Sequence, residues 1–174
     1  MKDRLDEIAR VEIWAHASSM IILDKSGPLH NYADRDHCMQ YMAAIGLIFG
    51  RLSAEDYEDE RAADPRIDKL RAKITAREDK RYSRDYLDPK KRANPNGIRV
   101  HFTDGAKTER VEVEYPLGHR RRRKEGVPKL LEKFERNVAR VFAEKQRRAI
   151  KEVCLDQKRL AAMPVNEFFD LMAA

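Results

Sequence analysis

The residues best suited to bind or act on an anion lie in the first quarter of the chain. Asp34-Arg35-Asp36-His37 stands where a helix is predicted to begin, and a helix N-terminus favours anions. Arg35 and His37 could therefore face a carboxylate, although His37 could equally cap or pack a helix. Lys25, on the loop after the first predicted strand, could reach a carboxylate as a point charge or be a solvated surface lysine.

Other chemically capable residues have weaker patterns around them. His30 and Asn31 share the loop before this block and could contact a ligand from its rim. His16 and His101 alternate onto the predicted outer faces of strands, which favours a structural role for both. The chain has no C-x-x-C pair and no His/Cys cluster, so a zinc site is not expected.

A basic cluster at Arg120–Lys124 suggests a different chemistry. From residue 116 to residue 151 there are 13 Lys and Arg against four Glu. Such a cluster could bind nucleic-acid phosphates or steer an anion. No aromatic residues interleave with it, however, and the adjacent Pro116-Leu117-Gly118 predicts a loop. A solvated or interdomain surface is therefore expected, and nucleic acid is not the expected partner.

The elements that must position these residues can be predicted from periodicity. Residues 9–23 begin with strand-like alternation, and a largely apolar helix is predicted from Asp34 or Asp36 to about Arg51. Short helices are predicted after Ser53 and after Asp64-Pro65, the second one including Ile74. Residues 75–96 are polar and predict a long connection.

The second half combines a hairpin with helices. Ile98 to Phe102 and Val111 to Tyr115 alternate on either side of Asp104-Gly105, which predicts a β-hairpin. A helix is predicted to begin at Val127-Pro128. A second helix is predicted before Met163-Pro164 and a third after it. The sequence therefore predicts an α+β fold, with a lid-like domain (a sheet with a hairpin, plus helices) over residues 1–119 and C-terminal helices over residues 120–174.

Composition limits the class of protein. Charged residues make up 38% of the 174 residues and apolar residues 42%, which indicates a globular chain with well solvated surfaces. Cys38 and Cys154 are too few for a disulfide framework, so a reducing compartment is expected. The charged N-terminal sequence shows no signal core. A cytoplasmic protein that does not enter a membrane is predicted.

Several blocks of sequence together resemble the 2-methylcitrate dehydratase branch of the MmgE/PrpD family. They occur in the order of that family and extend over nearly the whole chain. The blocks are Asp24-Lys25-Ser26-Gly27-Pro28-Leu29, Ala33-Asp34-Arg35-Asp36-His37-Cys38, Phe49-Gly50-Arg51-Leu52, Phe102-Thr103-Asp104-Gly105, Glu114-Tyr115-Pro116-Leu117-Gly118-His119 and Met163-Pro164-Val165-Asn166-Glu167.

The resemblance implies a cofactor-independent hydro-lyase that removes water from 2-methylcitrate, a small tricarboxylate, during propionate breakdown. It also implies a large helical domain, an α+β lid, C-terminal helices that return to the helical domain, and a homodimer. His37, Arg35 and Lys25 are then the candidate substrate-binding residues of this chain.

The same resemblance places the counterpart of Lys2–Ile8 deep inside a longer chain, after the helical domain. Most catalytic residues are therefore expected outside these 174 residues, and the chain is expected to be inactive without a partner that supplies the helical domain. A truncated gene product, a split subunit and an excised piece remain open. A non-catalytic module that binds anions or nucleic acid through Arg120–Lys124 and a non-functional remnant are the alternatives.

Overall fold

A computed structural model describes residues 2–173, without the side chain of Lys2. Two compact units divide between Pro116 and Leu117. We call them the sheet unit, up to Pro116, and the helical unit, from Leu117. The domain boundary predicted between residues 119 and 120 stays a prediction, and Met1 and Ala174 lie outside the described residues.

The sheet unit contains a four-stranded mixed sheet with the strand order β2-β1-β3-β4. The strands are β1 (Ile8–Ala15), β2 (Ile74–Glu78), β3 (Asn96–Phe102) and β4 (Val111–Val113). β1 pairs with β2 in parallel and with β3 antiparallel. With its helices, this sheet confirms the predicted α+β class.

The described part of the sheet unit, residues 2–116, contains six helices. They are α1 (Ala17–Leu23), α2 (Tyr32–Asp36), α3 (Met39–Phe49), α4 (Asp59–Ala62), α5 (Pro65–Arg71) and α6 (Lys80–Leu87), with 3-10 turns at Lys2–Glu7 and Ala54–Tyr57. One face of the sheet packs on α3 and α5, where Val11, Ile45 and Ile67 are fully buried. Burial of this apolar surface is the main stabilising contribution.

β1 is shorter and more buried than predicted. It ends at Ala15, and His16 begins α1 as its N-cap instead of continuing the strand. His16 is 4% exposed and stacks on Tyr86, with ring centroids 3.8 Å apart. The predicted outer-face position of His16 was therefore wrong, because its ring is needed to cap the helix. Glu12 and Trp14 are buried as well, under side chains from the neighbouring strands.

The predicted helix from Asp34 or Asp36 to Arg51 is two helices. α2 ends at Asp36 and α3 begins after Cys38, whose extended backbone forms the N-cap. α3 then ends at Gly50, which has a φ of 72°, a left-handed conformation that glycine adopts without strain.

The polar segment at residues 75–96 is not a long connection. β2 pairs with β1, which lies about 60 residues earlier in the chain, and takes Ile74 out of the preceding helix. α6 follows with Asp79 as its N-cap and Tyr82 buried. The prediction failed because β2 is an edge strand and α6 is polar on most of its surface, so both resemble a loop in local composition.

The predicted hairpin is confirmed. Ile98 lies opposite Val111 and Asn96 lies opposite Val113. Gly105 in the turn has a φ of 84°, as tight turns require.

The helical unit contains α7 (Arg123–Val138), α8 (Glu144–Leu155), α9 (Gln157–Ala162) and α10 (Val165–Asp170), after a 3-10 turn at Arg120–Arg122. α7 begins before the predicted opening at Val127-Pro128, so Pro128 lies inside the helix. Pro128 has no N–H to donate to the carbonyl of Lys124. Ile150 and Val153 are buried, whereas Leu130 is 64% exposed.

Candidate functional site

The loop after α1 forms one wall of a cleft of about 320 Å³. We call it the Lys25 cleft. Its lining residues are Lys25, Ser26, Gly27, Gln40, Asp68, Arg71, Ala72 and Ile74. It combines an ammonium, a guanidinium and an amide, which are donors that suit a carboxylate.

Three contacts fix the loop that carries Lys25. The Sγ of Cys38 lies 3.7 Å from the carbonyl oxygen of Lys25, and Gln40 donates to the carboxylate of Asp24. From α5, Arg71 donates to the carbonyl of Gly27 at 2.9 Å. These contacts place Lys25 relative to α3 and α5, so its position does not depend on a free loop.

Lys25 keeps hydrogen-bonding capacity for a ligand. Its Nζ lies 3.5 Å from Oδ1 of Asp34, and the side chain is 37% exposed. An ammonium has three donors, and this long contact uses one of them. The backbone N–H of His30 and the Lys25 ammonium hold the pKa of Asp34 below its ordinary value. Lys25 is therefore held beside a carboxylate without being enclosed by it.

Arg35 is buried and occupied by protein groups. Only 6% of it is exposed, and its Nη1 donates to the carbonyl of Tyr57 and pairs with Asp59, both at 2.7 Å. The guanidinium therefore joins α2 to the start of α4. In this geometry Arg35 holds α2 against the segment at Tyr57 and Asp59, while Lys25 is the more accessible cation.

His37 lies between two helices. It follows α2 and directly precedes Cys38, the N-cap of α3. Its Nδ1 pairs with the carboxylate of Asp36, and its side chain is 53% exposed. The prediction that Arg35 occupies a helix N-terminus was wrong, because the helix divides at His37 and Arg35 lies in the last turn of α2. His37 is not among the residues that line the Lys25 cleft.

His30 and His101 also have defined positions. The backbone N–H of His30 donates to Asp34 at 3.0 Å. Nε2 of His101 lies 2.6 Å from Glu12, on the sheet face that points away from the apolar core.

Two contributors to the Lys25 cleft were not predicted. Arg71 lies 46 positions after Lys25, and Gln40 stands inside a helix that the sequence indicates only as apolar. Nε of Arg71 also pairs with Asp68 at 3.0 Å. The spacing of residues gives no signal for this proximity, because it depends on α5 packing beside α3. The N-cap signal at Asp64-Pro65 indicates α5 itself and could have placed Arg71 at its end.

The basic cluster at Arg120–Lys124 does not form a loop. Arg120 to Arg122 make the 3-10 turn, and Arg123 and Lys124 begin α7. Nδ1 of His119 accepts a hydrogen bond from the backbone of Arg121 at 3.1 Å. Cations at a helix N-terminus oppose the helix dipole, so helix stability does not account for this cluster.

Metal-binding clusters and membrane-spanning helices are both absent from the described residues. Among the described side chains, no group of three or more His, Cys, Asp or Glu could hold a metal ion. None of the helices within residues 2–173 has both the length and the apolar character needed to cross a lipid bilayer.

The chain is similar to several curated proteins that are named 2-methylcitrate dehydratase. The chain is 56% identical over 165 residues to the 2-methylcitrate dehydratase of Salmonella typhimurium, which is 95% of this chain and 34% of that protein. It is 56% identical over 167 residues to the Cupriavidus necator protein of the same name, with 96% and 34% covered. A mitochondrial 2-methylcitrate dehydratase of Yarrowia lipolytica is 50% identical over 166 residues, with 95% and 32% covered.

The chain thus spans about a third of the length of the curated relatives that it matches. Because nearly all of the chain takes part in these matches, a separate anion- or nucleic-acid-binding module is not favoured. The family model for the MmgE/PrpD C-terminal domain matches residues 1–157. The chain therefore belongs to the MmgE/PrpD family and corresponds to its C-terminal domain.

Proposed function

We propose that this chain supplies the C-terminal domain of a 2-methylcitrate dehydratase, a hydro-lyase that removes water from a tricarboxylate without a cofactor. The observation that carries the proposal is the 56% identity to the Salmonella protein over 165 residues. The Lys25 cleft adds a chemical argument, because a tricarboxylate needs cationic donors for its carboxylates.

Lys25 is proposed to bind one substrate carboxylate. It is the accessible cation of the cleft, and contacts from Cys38 and Arg71 hold its loop in place. Arg35 is proposed to act as a positioning residue, since it holds α2 against the segment at Tyr57 and Asp59. His37 is proposed to contact the substrate from outside the Lys25 cleft, where its pairing with Asp36 would orient the imidazole.

Elimination of water also needs a base beside a carboxylate and an acid for the leaving hydroxyl. The Lys25 cleft contains no histidine. We therefore propose that these groups come from the other two thirds of a family chain, and that this chain is inactive without them. Leu130, Val141 and Phe169 of the helical unit are each more than 60% exposed, and this apolar surface suits a helical partner segment.

Association with a second copy of the chain is a further proposal, made from the family resemblance. The cytoplasmic location predicted from the sequence also stays a proposal. The name of the Yarrowia relative places that protein in mitochondria.

The experiment uses this chain together with the preceding two thirds of the Salmonella relative, produced as a separate polypeptide. Dehydration of 2-methylcitrate is measured for the chain, for the second polypeptide and for the mixture. Activity is expected only in the mixture. Lys25→Gln in the mixture is expected to raise KM about tenfold or more, the loss of one charged hydrogen bond.

Lys69→Gln is the matched control, because Lys69 is 70% exposed and its nearest carboxylate, that of Asp6, is 3.8 Å away. Equal kinetics for the Lys25→Gln and unchanged mixtures would contradict the role of Lys25. Activity of the chain alone would contradict the proposed dependence on a partner.

A further inference from the structure

The sheet face that points away from the apolar core is covered by charged side chains. Arg10, Glu12 and Trp14 of β1 lie on this face, with Arg77 from β2 and Arg99 from β3 beside them. No function assigned above uses these residues. Their charges are distributed unevenly along the face.

At one end of the face the charges balance. Arg110 pairs with Asp79 at 2.6 Å and with Glu112 at 2.8 Å. Arg81 pairs with Glu112 at 2.6 Å. Two guanidinium groups therefore meet two carboxylates, and this end has no net charge to attract a ligand.

At the other end, four cations surround one carboxylate, and two of the four pair with it. The arginine face, as we call it, consists of Arg10, Arg77, Arg99 and Lys107 around Glu12. Glu12 pairs with Arg77, with Arg10 at 3.5 Å and with His101 at 2.6 Å. Lys107 is placed beside His101 by strand pairing. With His101 neutral, three positive charges remain uncompensated.

Arg99 is the clearest unmatched group. Within residues 2–173 it forms no ion pair, and its Nε is buried without a hydrogen-bond partner. A buried guanidinium donor without an acceptor costs free energy. Arg99 as a whole is half-buried. Its positive charge is left without a carboxylate partner among the described side chains, and this is the property that an oxyanion would match.

Trp14 holds the guanidinium groups close together. The centre of its ring lies 5.0 Å from the guanidinium of Arg77 and 5.6 Å from that of Arg99. The guanidinium of Arg110 lies over the same ring at 4.3 Å, so one indole gathers guanidinium groups from both ends of the face. Stacking on the ring also restricts the two side chains, which lowers the entropy lost when a ligand binds.

We propose that the arginine face binds a small polyvalent oxyanion, carrying either carboxylates or phosphates. Arg77 and Arg99 contact the anion and Lys107 adds a third positive charge. Guanidinium groups bind both kinds of anion in bidentate geometry. Glu12 does not bind the anion; it orients Arg77. This site is separate from the Lys25 cleft and does not depend on the proposed dehydratase function.

The test uses the unaltered 174-residue chain and its single tryptophan. Citrate and inorganic pyrophosphate are titrated separately at low ionic strength while the fluorescence of Trp14 is recorded, with calorimetry as a second readout. Saturable binding is expected for at least one of them, and the preferred anion identifies the carboxylate or phosphate class. Added salt is expected to weaken binding, because the attraction is electrostatic.

Arg99→Gln is expected to raise the dissociation constant about tenfold or more. Arg81→Gln, at the balanced end of the same face, is the matched control and is expected to change it less than about twofold. Lys25→Gln is also expected to leave the Trp14 signal unchanged. Lys107→Gln is a second variant at an exposed position, which keeps the test decisive if Arg99→Gln does not fold.

Absence of saturable binding for both anions would overturn the proposal. Equal weakening by Arg81→Gln would also overturn it, since that result indicates a general attraction of anions to a basic protein. Binding of poly-glutamate without binding of either small anion would assign the face to an acidic polypeptide instead.

Discussion

Replacement of Asp56 by alanine is expected to lower the free energy of unfolding of the sheet unit by about 3 kcal/mol. Asp56 is fully buried. Its Oδ2 accepts hydrogen bonds from the backbone and hydroxyl of Ser53, both at 2.8 Å, and from Arg51 at 2.7 Å. The backbone carbonyl of Asp56 accepts a hydrogen bond from the hydroxyl of Tyr41 at 2.6 Å. Together these contacts order the segment that packs beside α3.

The magnitude follows from what remains after the carboxylate is removed. Loss of the capping box with Ser53 costs about 1 kcal/mol, and the Ser53 N–H left without its acceptor costs about 1–3 kcal/mol more. The side chains of Arg51 and Arg61 are 51% and 37% exposed. Water can solvate them again, so their ion pairs add only about 0–1 kcal/mol. The total is therefore about 2–5 kcal/mol, and we place it near 3 kcal/mol, the lower end of the range for a fully buried pair, because both arginines can be solvated again.

The assay is urea unfolding followed by fluorescence. Trp14 is the only tryptophan and is 8% exposed, so its emission reports on the sheet unit alone. Asp56→Asn keeps one acceptor oxygen and is expected to cost less than alanine. Glu60→Ala, at an exposed helical position, is the control and is expected to change stability by less than about 0.5 kcal/mol. A loss below about 1 kcal/mol for Asp56→Ala would refute the reasoning.

Three further predictions follow from other parts of the chain. Gly126→Ala is expected to destabilise the helical unit, measured by circular dichroism during heating, because a Cβ there would lie 2.2 Å from the carbonyl oxygen of Leu117. Gly118→Ala meets no atom within 4 Å, and an equal effect from it would contradict this explanation. Leu130→Ser is expected to reduce concentration-dependent association in sedimentation velocity, since Leu130 is 64% exposed; unchanged association would exclude this surface. Burial of Asp79 opposes its ionisation, but hydrogen bonds led by that from Arg110 hold its pKa below the ordinary 3.8. The hydrogen bonds to ionised Asp79 therefore stabilise the fold at pH values above 3.8, and this stabilisation is lost as the pH falls through the lowered pKa. The Asp79→Asn variant has no such carboxylate, so it is expected to lose less stability than the unchanged chain between about pH 5 and about pH 3. Equal losses in urea unfolding at the two pH values would contradict that role.

Local signals were sufficient for part of the fold. The hairpin was predictable because its strands are joined by Asp104-Gly105, and the pairing of Ile98 with Val111 depends on neighbouring sequence. The helix after Asp64 was predictable because aspartate is a good N-cap and proline suits the first helical position.

Long-range pairing explains what the sequence did not predict. β2 is a strand because Val11 lies opposite Ile74, and α6 follows from the position of that strand. Composition could not indicate either element. The division between α2 and α3 was also missed, since Cys38 carries no capping signal and the apolar pattern continues across it.

The candidate site shows the same limit. Lys25 was identified from its type and loop position, but Arg71 and Gln40 join it only through the packing of α5 and α3. The burial of Arg35 could not be predicted, because its partners Tyr57 and Asp59 come from a segment that is distant in the sequence.

The measurement that tests the central claim most directly is dehydration of 2-methylcitrate by this chain, alone and mixed with the preceding two thirds of the Salmonella relative. The account predicts no activity from either polypeptide alone and activity in the mixture. Activity of this chain alone, or an inactive mixture in which the two polypeptides form a stable complex, would contradict it.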